Sequence, residues 1–159
     1  MKLLKFLIVA ITMFSVATIT PTTEAAFKTD PVLTAEYYAN PDNYFSGSGI
    51  GTGAIRKYRK NTLKIENYAP PHYTISIDVV WMNYKKEINN YVVTGSCTER
   101  FYYNWETKKA YREMINHDKG GQLEWQEITN NFRNEKGIAN DIFKLAYNID
   151  FFSPNELKP

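Results

Sequence analysis

The sequence predicts an α+β domain: a curled antiparallel sheet of about five strands with a C-terminal amphipathic helix packed on one face. Three observations predict it. Between residues 63 and 128 apolar and polar side chains alternate with period two, as in strands with one buried face. Short polar turns separate the runs, so neighbouring strands pair antiparallel. From residue 137 the apolar spacing becomes that of a helix.

The first stretch lies outside this domain. Lys2 and Lys5 lead an apolar run over residues 6–19 that only Thr12, Ser15 and Thr18 interrupt, and Pro21 and Thr23-Glu24-Ala25-Ala26 follow. That order predicts a Sec-type signal peptide over residues 1–25, cut after Ala25. A cut after Ala26 would put charged Glu24 in a slot that takes small neutral side chains. The run falls short of the ~20 residues of a spanning helix, an uncleaved anchor being the competing reading. The expected location is secreted, periplasmic or cell-surface, with the membrane met only during export.

Of the chain's 19 basic and 17 acidic side chains, Lys2, Lys5 and Glu24 leave with the signal. The 134 residues that remain carry 17 and 16, a formal charge of +1. That is one domain's worth of chain. It has no global field to gather nucleic acid, so no nucleic-acid partner is expected. Cys97 is the only cysteine. No internal disulfide can form, and its place in an apolar row predicts a small buried hydrophobe.

Each element follows in order. Residues 26–53 form an aromatic and glycine-rich N-terminal segment. Within it, residues 32–38, bracketed by Pro31 and Pro41, have room for one helical turn or more. Ser46-Gly47-Ser48-Gly49-Ile50-Gly51-Thr52-Gly53 reads as a flexible loop or weak edge strand, with the sheet placed after it, so the α+β domain is expected over 54–152. Leu63 and Ile65 alternate with Lys64 and Glu66. Tyr73, Ile75, Ile77, Val79 and Trp81 alternate with Thr74, Ser76 and Asp78, the cleanest strand of the chain. Val80, Met82 and Tyr84 on its opposite face predict that this end is covered on both sides. After a polar turn, Tyr91, Val93, Gly95 and Cys97 begin a strand that continues through Phe101 and Tyr103. Glu99 breaks its apolar parity, which predicts a bulge or a sheet edge. Asn104-Trp105-Glu106-Thr107-Lys108 is a tight hairpin into residues 109–115, and a turn at residues 118–121 leads into 123–128. Ile138, Ile142, Leu145 and Ile149, joined by Ala139, Phe143 and Ala146, make the helix, and residues 153–159 are tail.

Chemical motifs are few. Gly49-Ile50-Gly51-Thr52-Gly53-Ala54 lacks both the buried strand before it and the helix after it that a dinucleotide loop needs. His72 and His117 are the only histidines, and with Cys97 they have no local metal spacing, so no metal and no cofactor is expected. Cys97 in an apolar row is not placed as a nucleophile beside His117. Glu99 and Glu113, across the Trp105 hairpin, are the one pair that could act as glycosidase carboxylates. Arg56-Lys57-Tyr58-Arg59-Lys60 is the one dense basic run. It reads as a solvated edge strand whose charges block sheet-to-sheet pairing, or as a contact for an anionic polymer. Tyr58, Tyr84 and Tyr102 fall on the parity opposite their strands' main apolar face. Exposed tyrosines suit carbohydrate or protein recognition, since a rigid ring offers much contact area at small entropic cost; equally, these rings could lie under the N-terminal aromatic segment or the helix. The candidate binding residues are therefore Arg56, Lys57, Tyr58, Arg59, Lys60, Tyr84 and Tyr102.

Phe101-x-Tyr103, then Thr107-Lys108-Lys109-x-Tyr111, Trp125, and the closing Gly137…Phe143…Ala146-Tyr147…Phe151 resemble a group of small secreted bacterial proteins of unassigned function. More distantly, the order of a basic strand, a strand carrying Trp81, a Cys-containing strand, an aromatic hairpin and a terminal helix is similar to the surface-adhesin E type of domain. That resemblance implies a small α+β fold and binding of host proteins. The chain differs in holding Cys97 alone, with no stapling disulfide. The expected function is an exported, non-catalytic, adhesin-like binding protein of the bacterial envelope or surface whose ligand is an envelope or host protein or a glycan. The alternatives are a small envelope hydrolase using carboxylates of the 99–113 hairpin, or a structural envelope subunit that pairs through a sheet edge.

Overall fold

The computed structural model describes residues 28–50, 53–116, 121–129 and 134–157. The expected signal peptide, His117, residues 118–120 of the expected turn at 118–121, and residues 130–133 lie outside them.

The chain is α+β, with one antiparallel sheet of seven strands and two α-helices among the described residues. In order these are α1 (Pro31–Ala39), β1 (Tyr44–Ile50), β2 (Ala54–Arg59), β3 (Lys64–Ala69), β4 (His72–Lys85), β5 (Asn90–Asn104), β6 (Lys109–Asn116), β7 (Gln122–Glu127) and α2 (Glu135–Tyr147). The path across the sheet is β1-β2-β4-β5-β6-β7. β4 pairs with β5 from His72↔Asn104 to Lys85↔Asn90. Its other edge is shared end to end: β2 lies beside residues 79–82 and β3 beside residues 72–76. A 3-10 turn at Lys60–Thr62 joins the two.

Two expectations need correction here. The sheet begins before residue 54: of the two readings of the glycine-rich segment the edge strand is the one found, since its residues 46–50 belong to β1, paired with β2 from Tyr44↔Arg59 to Ile50↔Ala54. Consequently the basic run is an interior strand, not an edge. Gly47 makes this pairing feasible: a Cβ there would lie 2.9 Å from both Arg56 Cβ and Tyr58 Cε2. What reads as flexibility is clearance for two large neighbours.

Alternation assigns the side chains to two faces, the α2 face and the α1 face. On the α2 face, Ile138, Ala139, Ile142 and Phe143 pack on Tyr58, Ile75, Ile77, Val79, Phe101 and Tyr103, and Phe151 and Phe152 fold back into the same core. Tyr103 Oη donates to the Ala139 carbonyl at 2.8 Å, so this buried hydroxyl is satisfied. The expected helical stripe drifts at its end. Leu145 and Ile149 are exposed, since α2 stops at Tyr147 with Asn148 in the left-handed region and the tail phenylalanines fill the remaining core.

On the opposite face, α1 covers one end only. Leu33 and Tyr37 pack with Tyr44, Val80, Met82 and Val93. Asp30 caps the helix through Leu33 N at 2.9 Å. Thr34 Oγ1 accepts from Val93 N, and Asp30 N donates to Val93 O, so the outward backbone groups of Val93 are met. The double covering expected of that end is present, although Tyr84 stays about half exposed. Among the described residues no helix packs on the rest of this face, which one-sided antiparallel sheets commonly leave to water.

The bulge expected near Glu99 is elsewhere. Trp81 pairs with Gly95 and Met82 with Val93, so Thr94 is the extra residue, while the register runs unbroken through Ile77↔Glu99. The slip reverses the parity of β5. Tyr91 and Val93 therefore face α1, and Cys97, Phe101 and Tyr103 face α2. Cys97 is exposed rather than buried because the α2 core does not extend over it.

Candidate functional site

Alternation along β2 splits the basic run. Arg56 and Tyr58 enter the α2 face, whereas Lys57 and Arg59 lie on the α1 face. Across β4 from Tyr58, on β5, stands Glu99. Its carboxylate accepts from Tyr58 Oη at 2.7 Å and from Arg56 Nη1 at 3.2 Å, with Arg112 Nη1 at 4.0 Å. Arg112 also reaches Glu135 of α2 at 3.2 Å. The side chains of Arg56, Glu99, Arg112 and Glu135 are between 10% and 16% exposed, which makes this an internal ionic cluster. Burial, followed by the Glu99 charge, pushes the Tyr58 hydroxyl above its ordinary range, so it stays a hydrogen-bond donor. Tyr58 itself is fully buried and stacks on Phe45 at 5.2 Å. It therefore cannot serve as an exposed binding tyrosine.

The rest of the run is similarly occupied. Arg59 bridges Glu36 of α1 at 2.6 Å and Asp78 at 3.6 Å. Lys57 Nζ donates to Ser46 Oγ at 2.8 Å, and Lys60 Nζ to the Asp42 carbonyl at 2.7 Å. No basic patch results, because successive side chains point to opposite faces and the arginines are held by carboxylates. Tyr84 sits at the far tip of the β4–β5 hairpin, its hydroxyl on Asn89 and its ring 5.5 Å from Tyr91.

Glu99 and Glu113 do not converge. Glu99 belongs to the α2 face, while Glu113 extends from the other face, where it accepts from Arg100 Nη1 at 2.9 Å. A sheet thickness separates the pair expected for a hydrolase. Among the described residues no group of His, Cys, Asp or Glu is arranged to hold a metal ion, and no helix is long and apolar enough to cross a membrane. Cys97 shares the Glu99 surroundings. Partial burial and then the Glu99 charge push its thiol up to about 11, against Arg56, so it is protonated at neutral pH.

Tyr102 is the expected site residue that does stand in a group. On the open part of the α1 face, the His72 ring stacks on it at 5.9 Å, and Tyr102 Oη lies 2.6 Å from His72 Nδ1. On its other side are Tyr111 at 5.6 Å and Trp125 at 6.0 Å. Four rings, one each from β4, β5, β6 and β7, thus form a row whose contacts all meet at Tyr102. Arg100, on the same face, lies over the Trp125 ring at 5.6 Å while donating to Glu66 at 2.7 Å and to Glu113. Lys109 pairs with Glu127 at 3.0 Å at the end of the row. Trp125 is 42% exposed, Tyr102 and Tyr111 are half-buried, and His72 is exposed.

Sequence reasoning missed Tyr111, Trp125 and His72. Tyr111 was recoverable, since Tyr102 and Tyr111 stand symmetrically about the Trp105 turn and a tight hairpin must pair them. Trp125 and His72 required the register of more distant pairings. No protein-family model, no curated protein and no solved structure matches this chain.

Proposed function

We propose that the chain is an exported, non-catalytic binding protein of the bacterial envelope or surface, and that it recognises a protein or glycan through the open part of its α1 face. One observation carries this reading: the contiguous row His72, Tyr102, Tyr111 and Trp125 on a sheet surface that no described helix covers. Large rings with polar rims are the side chains enriched where proteins make contacts. The internal cluster around Glu99 suits a structural role, because its charges satisfy one another away from solvent. Recognition thus moves from the basic run to the aromatic row. The adhesin-like resemblance agrees with a binding role and adds no residue to it.

The test is crosslinking capture from envelope extracts with the wild-type chain, the double variant Tyr102→Ala/Trp125→Ala, and Lys57→Gln/Lys60→Gln. Partners lost with the ring variant and kept with the lysine variant support the reading. Partners indifferent to the rings overturn it. Fractionation addresses export: chain beginning at residue 26 in the envelope or medium is expected, and full-length chain there overturns cleavage after Ala25.

A further inference from the structure

The row's charges say which kind of ligand it suits. Arg100 is shared between Glu66 and Glu113, and Lys109 is held by Glu127. A charged polymer laid on the rings would have to break these pairs before gaining new ones, and its attraction would be screened by salt. An uncharged ligand leaves them intact. Its hydroxyls can donate to carboxylate oxygens of Glu66 and Glu113 and accept from tyrosine hydroxyls.

The geometry favours an extended ligand lying on a surface. The His72 and Trp125 rings lie 5.9 Å and 6.0 Å from Tyr102, so the outer rings stand no more than about 12 Å apart. The rings are mutually tilted, 40° between Tyr102 and Tyr111 and 54° between Tyr102 and Trp125, which makes a stepped shelf. Pyranose rings present an apolar C–H face to an aromatic ring and hydroxyls around their rim, matching rings beside paired charges. A proline-rich peptide also docks on aromatic surfaces, but proline lacks an N–H. Covering Glu113 and Glu66 with it would strip their water without supplying donors.

We infer that the row His72–Tyr102–Tyr111–Trp125 is a platform for an uncharged oligosaccharide, stacked on Trp125 and Tyr102 with its hydroxyls on the Glu66–Arg100–Glu113 group. This inference rests on the binding reading above and specifies its ligand.

The test is calorimetric titration of the full chain with uncharged hexasaccharides (glucose-, xylose- and N-acetylglucosamine-based), heparin fragments and a proline-rich decapeptide, at low and high salt. At least one uncharged hexasaccharide is expected to bind with little salt dependence. Losing one stacking ring through Trp125→Ala or Tyr102→Ala should weaken it about tenfold, and Trp125→Tyr should restore most of the loss. Ile88→Ala, at the opposite end of the β4–β5 hairpin, should bind as wild type. Should a variant fail to fold, a shift of the Trp125 indole N–H resonance in the native chain on adding sugar provides the same readout. Binding of heparin alone, or of the peptide alone, overturns the inference. If no sugar binds while captured partners still depend on Tyr102 and Trp125, the glycan inference falls and the binding reading stands. If neither sugar nor capture depends on the rings, both fall.

Discussion

Glu99 shows at one position why side-chain type alone misleads. In an apolar row an acid suggests a defect in the strand, yet the register is unbroken at Glu99 and the acid is answered by Tyr58 and Arg56 of β2 and Arg112 of β6. Removing one member of a buried ionic group exposes the full desolvation cost of the others. Glu99→Ala should therefore lower unfolding free energy by about 3–5 kcal/mol, read by urea denaturation. A loss below 1 kcal/mol would show that water already screens the cluster. Cys97 is the converse, a residue whose exposure suggests reactivity that its surroundings deny. With the thiol raised to about 11, alkylation by iodoacetamide at pH 7.5 should be slower than that of free cysteine and should accelerate toward pH 11. The same shift has a stability sign. It leaves the fold unaffected below the ordinary thiol value of 9.0, and as pH rises above 9.0 ionisation increasingly favours the unfolded chain. Arg56, Tyr58 and Arg112 lie far from Glu99 and Cys97 in sequence, so neither environment was legible there.

At the scale of elements, what could be read depended on whether the deciding interaction was local. β4, β5 and the Trp105 hairpin were legible because period two and turn chemistry are local signals. Asn104 Oδ1 accepts from Glu106 N and Thr107 N, and Lys108 takes the left-handed conformation that closes the turn. β1 was legible only as one of two readings, a flexible loop or a weak edge strand, since its strand state follows from β2 beside it. The Thr94 bulge escaped for a related reason: Gly95 is needed where the Trp81 ring passes, a Cβ there being 3.0 Å from Cε3. The end of α2 depends on another non-local lock. Asn140, 4% exposed, accepts from Phe151 N at 2.8 Å and Phe152 N at 3.0 Å and donates to Asp150 at 2.9 Å. Asn140→Ala leaves two buried N–H groups unmet and should cost about 2–4 kcal/mol, with faster hydrogen exchange at Phe151 and Phe152. Bonds from Asn140 and Lys144 hold the Asp150 carboxyl below its ordinary range of 3.8. A depressed value stabilises the fold above that pH, and the benefit is lost as pH falls through the folded value. The tail amides should therefore exchange faster in acid before the sheet does.

At the largest scale, the seven strands of the described residues carry two half-covers on opposite faces, α2 over one end and α1 over the other. The larger core holds the domain together, and Phe143 is its hub, within ring-contact distance of Tyr73, Tyr103, Trp105, Tyr147 and Phe151. Phe143→Ala should cost about 3–5 kcal/mol, a large share of the 5–15 kcal/mol available to a domain. Thermal melts should show one cooperative transition at lower temperature, and a separate early transition would mean that α2 unfolds alone. Tyr102 stands on the open face, yet its neighbours in sequence, Phe101 and Tyr103, are pinned beneath α2. The backbone that carries its ring is thus immobilised from behind. A ligand arriving at that surface has little main-chain motion left to quench, so the entropic penalty of recognition is met when the domain folds rather than when it binds.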